Sequence, residues 1–243
     1  MLAPSTLGRV DEYWADFFGC MPEQLRSERP VVVPHAAQLA DYWGIYLQSF
    51  GGAPVASLPH ALHERCAGVI ASAASPGLDA DERWNRLPGL TLTAVIGPAW
   101  IGYADAGTLR TAPGRGQVRP LAAADEPQID ALRDACSAEE WAQAGSPEEK
   151  QELAGAFDGG GLVALAGYEV WGDRIAHLYV VTHPARRGRG HGRAAVHHAA
   201  TRAMARGLVP QYRTLVSNEP SRAVAAALGF EPYATSLALR LAP

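Results

Sequence analysis

Apolar side chains recur at two different periods along this chain, and the changes of period mark its elements. Leu7, Val10, Tyr13, Trp14, Phe17 and Phe18 fall at helical spacing, which predicts an amphipathic helix stopped by Gly19. Pro30-Val-Val-Val-Pro34 reads as a short strand. Leu39, Trp43, Tyr46, Leu47 and Phe50 again match helical spacing, with Gly51-Gly52 as its end. Leu58, Leu62, Cys66, Val69 and Ile70 mark a further helix that closes at Ser75-Pro76-Gly77. Leu90 to Ile96 and Trp100 to Tyr103 predict two strands parted by Gly97-Pro98. These patterns set Trp14, Trp43 and Phe50 on helix faces turned to a core.

The stretch Thr111-Ala-Pro-Gly-Arg-Gly-Gln117 is short, polar and rich in Gly and Pro, and it reads as a linker. It divides a mixed α/β region, residues 1–110, from a second domain, residues 118–243. In that domain Val118 to Leu121 predicts a strand. Asp125 is placed to cap a helix carrying Ile129, Leu132 and Cys136. A second helical stretch runs from about Ser137 to Ala156, broken near Gly145 to Pro147. Gly161 to Val170 and Arg174 to Thr182 read as a hairpin across Trp171-Gly172-Asp173. A helix from about Gly190 to Arg206, a strand from Gln211 to Ser217, a helix from Pro220 to Leu228 and a strand from Phe230 to Leu241 complete it. The order is βαα-ββαβαβ, an α+β arrangement within the mixed α/β class. The N-terminal half also mixes helices and strands, in the manner of a diverged copy of the same lobe without its glycine loop.

Composition narrows the function. The 243 residues suffice for one large domain or two small ones, and an apolar content of 48% suits a soluble globular chain. A formal net charge of −4 argues against a protein that coats nucleic acid. No apolar run nears the roughly 20 residues that cross a bilayer, so no membrane association is expected. Met1 to Val10 lacks a basic region followed by an apolar stretch, so no secretory signal is expected. Cys20, Cys66 and Cys136 are isolated, which fits a reducing, cytoplasmic setting. His60 and His63, or His197 and His198, lack Cys or Asp partners at ligand spacing, so no metal site is expected.

The segment Leu178-Tyr-Val-Val-Thr-His-Pro-Ala-Arg-Arg-Gly-Arg-Gly-His-Gly-Arg193 carries the chemistry. An apolar strand enters a glycine-rich turn, and the turn opens an alanine-rich helix. Gly188, Gly190 and Gly192 allow backbone angles and close approaches that a Cβ would block. Unpaired amides and the positive end of the helix then suit an anion, and Arg187, Arg189 and Arg193 add full charges. There is no GxxxxGK[ST], and the loop lies too late in the chain for a dinucleotide fold.

Arg187-Gly188-Arg189-Gly190-His191-Gly192 resembles the [RQ]-x-x-G-x-[GA] signature of the GNAT superfamily of acyl-CoA N-acyltransferases. Asn218-Glu-Pro-Ser221 followed by Leu228-Gly229-Phe230 resembles a second motif of that family. The resemblance covers about Val118 to Leu241. It implies a mainly antiparallel sheet flanked by helices, in which the strand ending at Thr182 splays from Gln211 to Ser217. Coenzyme A, as acetyl-CoA, is the implied cofactor. Its pyrophosphate would sit on Arg187, Gly188, Arg189, Gly190, His191, Gly192 and Arg193. Its pantetheine arm would pair with the main chain of Val180 and Thr182; Asn218 would hydrogen-bond the arm or shape a turn, and Ser221 would contact the cofactor or start the helix. The N–H near Val181 would polarise the thioester carbonyl.

The implied reaction is direct attack of a primary amine, of a small molecule or a peptide, on the acyl thioester. Neutralising an alkyl ammonium at pH 7 costs about 4.6 kcal/mol, whereas protonating a thiolate contributes only about 2 kcal/mol, so the base has the harder task. The family often uses a glutamate on the strand before the loop, and this strand has none. Ile175, His177, Tyr179 and Val181 share one face by alternation, which makes His177 the leading base or else a buried structural histidine. Glu169 on the preceding strand is second, or a solvated carboxylate. The family's tyrosine acid falls at Ala225, leaving Tyr212, Tyr233 or water for that role. For the N-terminal region two roles stay open, a wall of the acceptor site or an interface in a homodimer. A rival reading of the whole is a non-catalytic acyl-CoA-binding or regulatory module.

Overall fold

A computed structural model describes residues 1–75, 77–79, 82–112, 116–144 and 152–242. The chain packs as two compact units made of interleaved segments. The first comprises Met1–Ala3, Tyr103–Tyr212 and Pro220–Glu231; the second comprises Pro4–Gly102, Arg213–Glu219 and the described residues from Pro232 on. The boundary at 111–117 does not coincide with these units, and Pro113, Gly114 and Arg115 lie outside the described residues. Among the described residues no helix is long and apolar enough to cross a membrane.

In the first unit the strands lie in the order β9 (Val209–Leu215), β8 (Ile175–Thr182), β7 (Gly161–Trp171), β6 (Ala154–Asp158) and β5 (Gln117–Pro120). All neighbours are antiparallel except β8 and β9. Helix α5 (His191–Ala205) packs on β6, β7 and β8 through Ala194, Ala195, Ala199, Ala200 and Ala203. Small side chains there let the helix axis approach the sheet closely. On the other face lie α3 (Glu126–Ala135) and α4 (Ala138–Gln143), and Leu132 and Trp141 close a core with Leu165, Tyr179 and Val181. Helix α6 (Glu219–Ala227) buries Ala225.

The second unit orders its strands β1 (Val31–Pro34), β3 (Val55–Leu58), β2 (Gly44–Ser49), β10 (Glu231–Leu241) and β4 (Leu92–Tyr103). Helix α2 (His60–Ala74) covers one face through Leu62, Cys66 and Ile70, against Ile45, Leu47, Leu237 and Leu239. On the opposite face α1 (Pro4–Phe18) packs Tyr13, Trp14, Phe17 and Phe18 on Tyr46 and Phe50 in a chain of ring contacts. Strand β3 enters α2 through Pro59, with no glycine in the turn.

Several expectations are corrected. Leu92–Tyr103 runs as one strand where two parted by Gly97-Pro98 were expected. Leu39 to Phe50 is not a helix, because Gly44–Ser49 is a strand with both faces buried, so its apolar positions do not alternate. Trp43 lies outside that strand, is 44% exposed, and donates its indole N–H to the Ala242 carbonyl at 2.8 Å. The helix expected to run to Ala156 stops at Gln143, and Ala154–Asp158 is a strand. The break at Gly145 to Pro147 lies outside the described residues.

Asp125 precedes α3 but makes no side-chain cap there. It accepts two hydrogen bonds from Arg119, each 2.6 Å, and one from the Ala122 N–H at 2.9 Å. Arg119 first, then the Ala122 amide, pull its carboxyl down to about 2 from the usual 3.8. A depressed folded value makes the contribution to stability present above the unfolded pKa and lost as pH falls through the folded one. Wild type should therefore lose stability between about pH 4 and pH 2. Asp125→Asn should lower Tm at neutral pH and shrink that acid limb, which thermal melts across pH will read.

Candidate active site

The glycine loop folds as the anion reading requires. Gly188 and Gly190 adopt φ of +75° and +87°, the left-handed region that favours glycine. Gly190 is the N-cap of α5, so the first amides of the helix have no partner within it. At Gly192 a Cβ would stand 2.6 Å from the Thr182 Oγ1, and only glycine lets α5 start this close to β8. The space beside Gly188 is open. Helix-start N–H groups presented by a left-handed turn, with open space beside Gly188, fit a diphosphate.

The charges around the loop are unequal. Arg187 is committed: its Nε donates to the Thr182 carbonyl at 3.2 Å and its Nη2 to Glu140 at 2.7 Å. The Glu140 carboxyl is held below its usual range by the Ser137 amide and then by Arg187. Arg189 is exposed and Arg193 half-buried. The His191 ring is buried, with Nε2 3.6 Å from Asp158, so its contribution to the loop's outer surface is its amide.

Strands β8 and β9 pair in register only over Ile175–His177 and Val209–Gln211. Past His177, β8 continues to Thr182 with no β9 partner in register among the described residues. The His183 N–H donates to the Val163 carbonyl at 2.9 Å, and antiparallel bonding alternates along a strand. Val181 therefore turns its N–H and C=O toward β7, while Val180 and Thr182 turn theirs to the β9 side. This corrects the role expected of the Val181 amide: its N–H faces β7, and its side chain is buried with Leu132 and Trp141. Val180 and Thr182 keep the expected orientation.

His177 lies opposite Glu169 in the β7–β8 register, half-buried, with its ring stacked on Trp171 at 4.0 Å and 13°. Its Nδ1 is 2.9 Å from the Gln211 Oε1, and Gln211 donates through Nε2 to the Tyr103 hydroxyl at 2.5 Å. Gln211 and Tyr103 are fully buried. Because the Gln211 amide donates to Tyr103, its oxygen accepts from His177, and the proton sits on Nδ1. That tautomer leaves the basic lone pair on Nε2. Glu169 is exposed beside it. On the same face Tyr179 covers Gly167, and burial followed by Glu169 pushes its phenol up.

Tyr212 faces the other way. Its hydroxyl meets the Ser221 Oγ at 3.0 Å and its ring packs edge-on against Phe230. Burial raises its pKa, opposed by the Ser221 hydrogen bond, so it holds its proton. Tyr233, the other tyrosine considered, belongs to the second unit and donates to Asp11 at 2.5 Å. Asn218 also belongs to the second unit, where its N–H donates to the Leu215 carbonyl at 3.0 Å. Trp171, Gln211 and Tyr103 were not legible as site residues, since their link to His177 exists only through strand register.

Comparison with known proteins agrees with this geometry. Residues 117–230 match the model of the Acetyltransferase (GNAT) family. None of the curated proteins matches the chain. Among solved structures, an acetyltransferase from the GNAT family of Colwellia psychrerythraea aligns with a TM-score of 0.50 and 16% identity, covering 62% of this chain and 58% of that one. A GCN5-related N-acetyltransferase from Kribbella flavida aligns at 0.45 and 21%, covering 64% and 60%. The ribosomal-protein-S18-alanine N-acetyltransferase from Escherichia coli aligns at 0.40 and 20%, covering 52% and 94%. The match thus spans less than two thirds of the Colwellia and Kribbella proteins. The family model falls on the strands and the glycine loop described above, and residues 117–230 adopt a GNAT superfamily fold.

Proposed function

We propose that this chain transfers an acetyl group from acetyl-CoA to a primary amine of a small molecule or peptide by direct attack. The observation that carries the reading is the left-handed Gly188–Gly190 turn opening α5 beside the stretch of β8 that leaves β9. When bound, acetyl-CoA supplies the thioester that an amine attacks. The amides at the start of α5 and the Arg189 guanidinium hold the diphosphate charge, and the main chain of Val180 and Thr182 offers an edge to an extended arm. His177 takes a proton at Nε2 from the acceptor ammonium, while Gln211 and Trp171 fix its ring. Tyr212 holds a proton at its hydroxyl for the leaving thiolate.

A second reading, an acyl-CoA-binding module without turnover, draws on Ala225 at the position of the family's tyrosine and on the apolar packing of Tyr179 and Val181. A screen of primary amines with acetyl-CoA, reading free thiol, separates the two. Acetyl-CoA binding with thiol release supports the transferase, binding without release in any amine supports the module, and no binding heat removes both. Arg189→Ala should weaken coenzyme A by about fivefold, and the loss should shrink as salt rises. An unchanged affinity in calorimetry would exclude Arg189 from the diphosphate site.

A further inference from the structure

A half-buried cation stands on the α1 face of the second unit with no ion pair to a carboxylate among the described residues. Arg213, at the end of β9, donates to the Ser236 Oγ at 3.1 Å and lies 5.8 Å over the Tyr46 ring. Arg213 makes no other hydrogen bond, ion pair or ring contact among the described residues. The nearby Asp11 is already held by Arg26, through bonds of 2.8 and 2.9 Å, and by Tyr233.

Beside Arg213 sits an unpaired donor. Gln48 and Ser236 are register partners on β2 and β10, and both are fully buried. The Gln48 Oε1 accepts from the Tyr46 hydroxyl at 3.2 Å, but its Nε2 has no hydrogen-bond partner among the described residues. A half-buried cation beside a buried, orphaned amide donor calls for a negative group that meets both.

We propose that Arg213, Gln48 and Ser236 form a binding site for a carboxylate group. One guanidinium with neutral donors around it matches a planar monoanion, which arginine grips through two parallel bonds. A phosphate dianion calls for more positive charge than the cluster holds, and a neutral ligand leaves the cation unmet.

The test uses the whole chain without acetyl-CoA and titrates propionate, propionamide and inorganic phosphate by calorimetry. Propionate should bind at least about tenfold tighter than the other two. Equal responses, or phosphate ahead, overturn the proposal. Gln48→Glu supplies a carboxylate from within: it should raise Tm at neutral pH and abolish propionate binding. A lower Tm with binding retained marks a buried carboxylate out of reach of Arg213 and overturns it too. A parallel coenzyme A titration keeps the readings apart. Propionate binding without coenzyme A binding leaves the site and sinks the acetyltransferase, and the reverse sinks the site alone.

Discussion

His177→Ala should lower kcat by roughly 10²- to 10⁴-fold, the range for loss of a general base, while coenzyme A affinity stays within about twofold. The Gln211–Tyr103 relay fixes the Nδ1–H tautomer, so Nε2 is the atom removed. A base at this position should leave its mark on the pH dependence of turnover, which the variant should lack. Steady-state rates from pH 5 to 9 with calorimetry on the same samples decide it. Equal rates for both proteins across that range would exclude His177 as base. Because the ring also stacks on Trp171, a Tm measured alongside separates lost chemistry from lost packing.

Gly190→Val should reduce coenzyme A affinity by about 100-fold or more, on the anion-loop reading. Gly190 has φ +87° at the N-cap of α5, where a β-branched residue is strained by roughly 1–2 kcal/mol. The nearest atom to a Cβ there, the Arg193 Nη2 at 3.7 Å, is in ordinary contact, so the strain is that of the backbone itself. Turning this peptide to relieve the strain swings the helix-start amides away from a common point. A fall in Tm of roughly 2–8 °C should accompany the loss. Full affinity in the variant would mean that the diphosphate is held elsewhere.

The loop was readable in the sequence because its signals are local: glycines at fixed offsets, a strand before and an alanine-rich helix after. The β7–β8 hairpin, α5 and α6 followed for the same reason, since each is specified within its own stretch. Strand β2 was not readable, because Ile45 and Leu47 pack under α2 while Tyr46 and Phe50 pack under α1. A strand apolar on both faces loses the alternation that identifies it. Strand β6 was hidden for another reason. Its Ala-Gly-Ala core looks helix-tolerant, yet Gly155 is small because Leu121 and Leu162 close over it, a contact between distant segments. In the site, His177 was identifiable by its strand face, whereas Gln211 and Tyr103 became partners only once register was known. Conversely, Val181 could be placed on the correct strand without revealing that its amide faces β7.

The pairing of β10 with β2 carries a cost during synthesis. Leu237 must lie beside Leu47 to finish the second unit, yet almost the entire intervening chain leaves the ribosome first. At about 5–20 residues per second, β2 waits roughly ten to forty seconds with one hydrogen-bonding edge bare. A bare apolar edge is a template for joining other chains. Nascent molecules that terminate early should therefore clump or recruit chaperones, even when the stretch carrying the glycine loop is already complete.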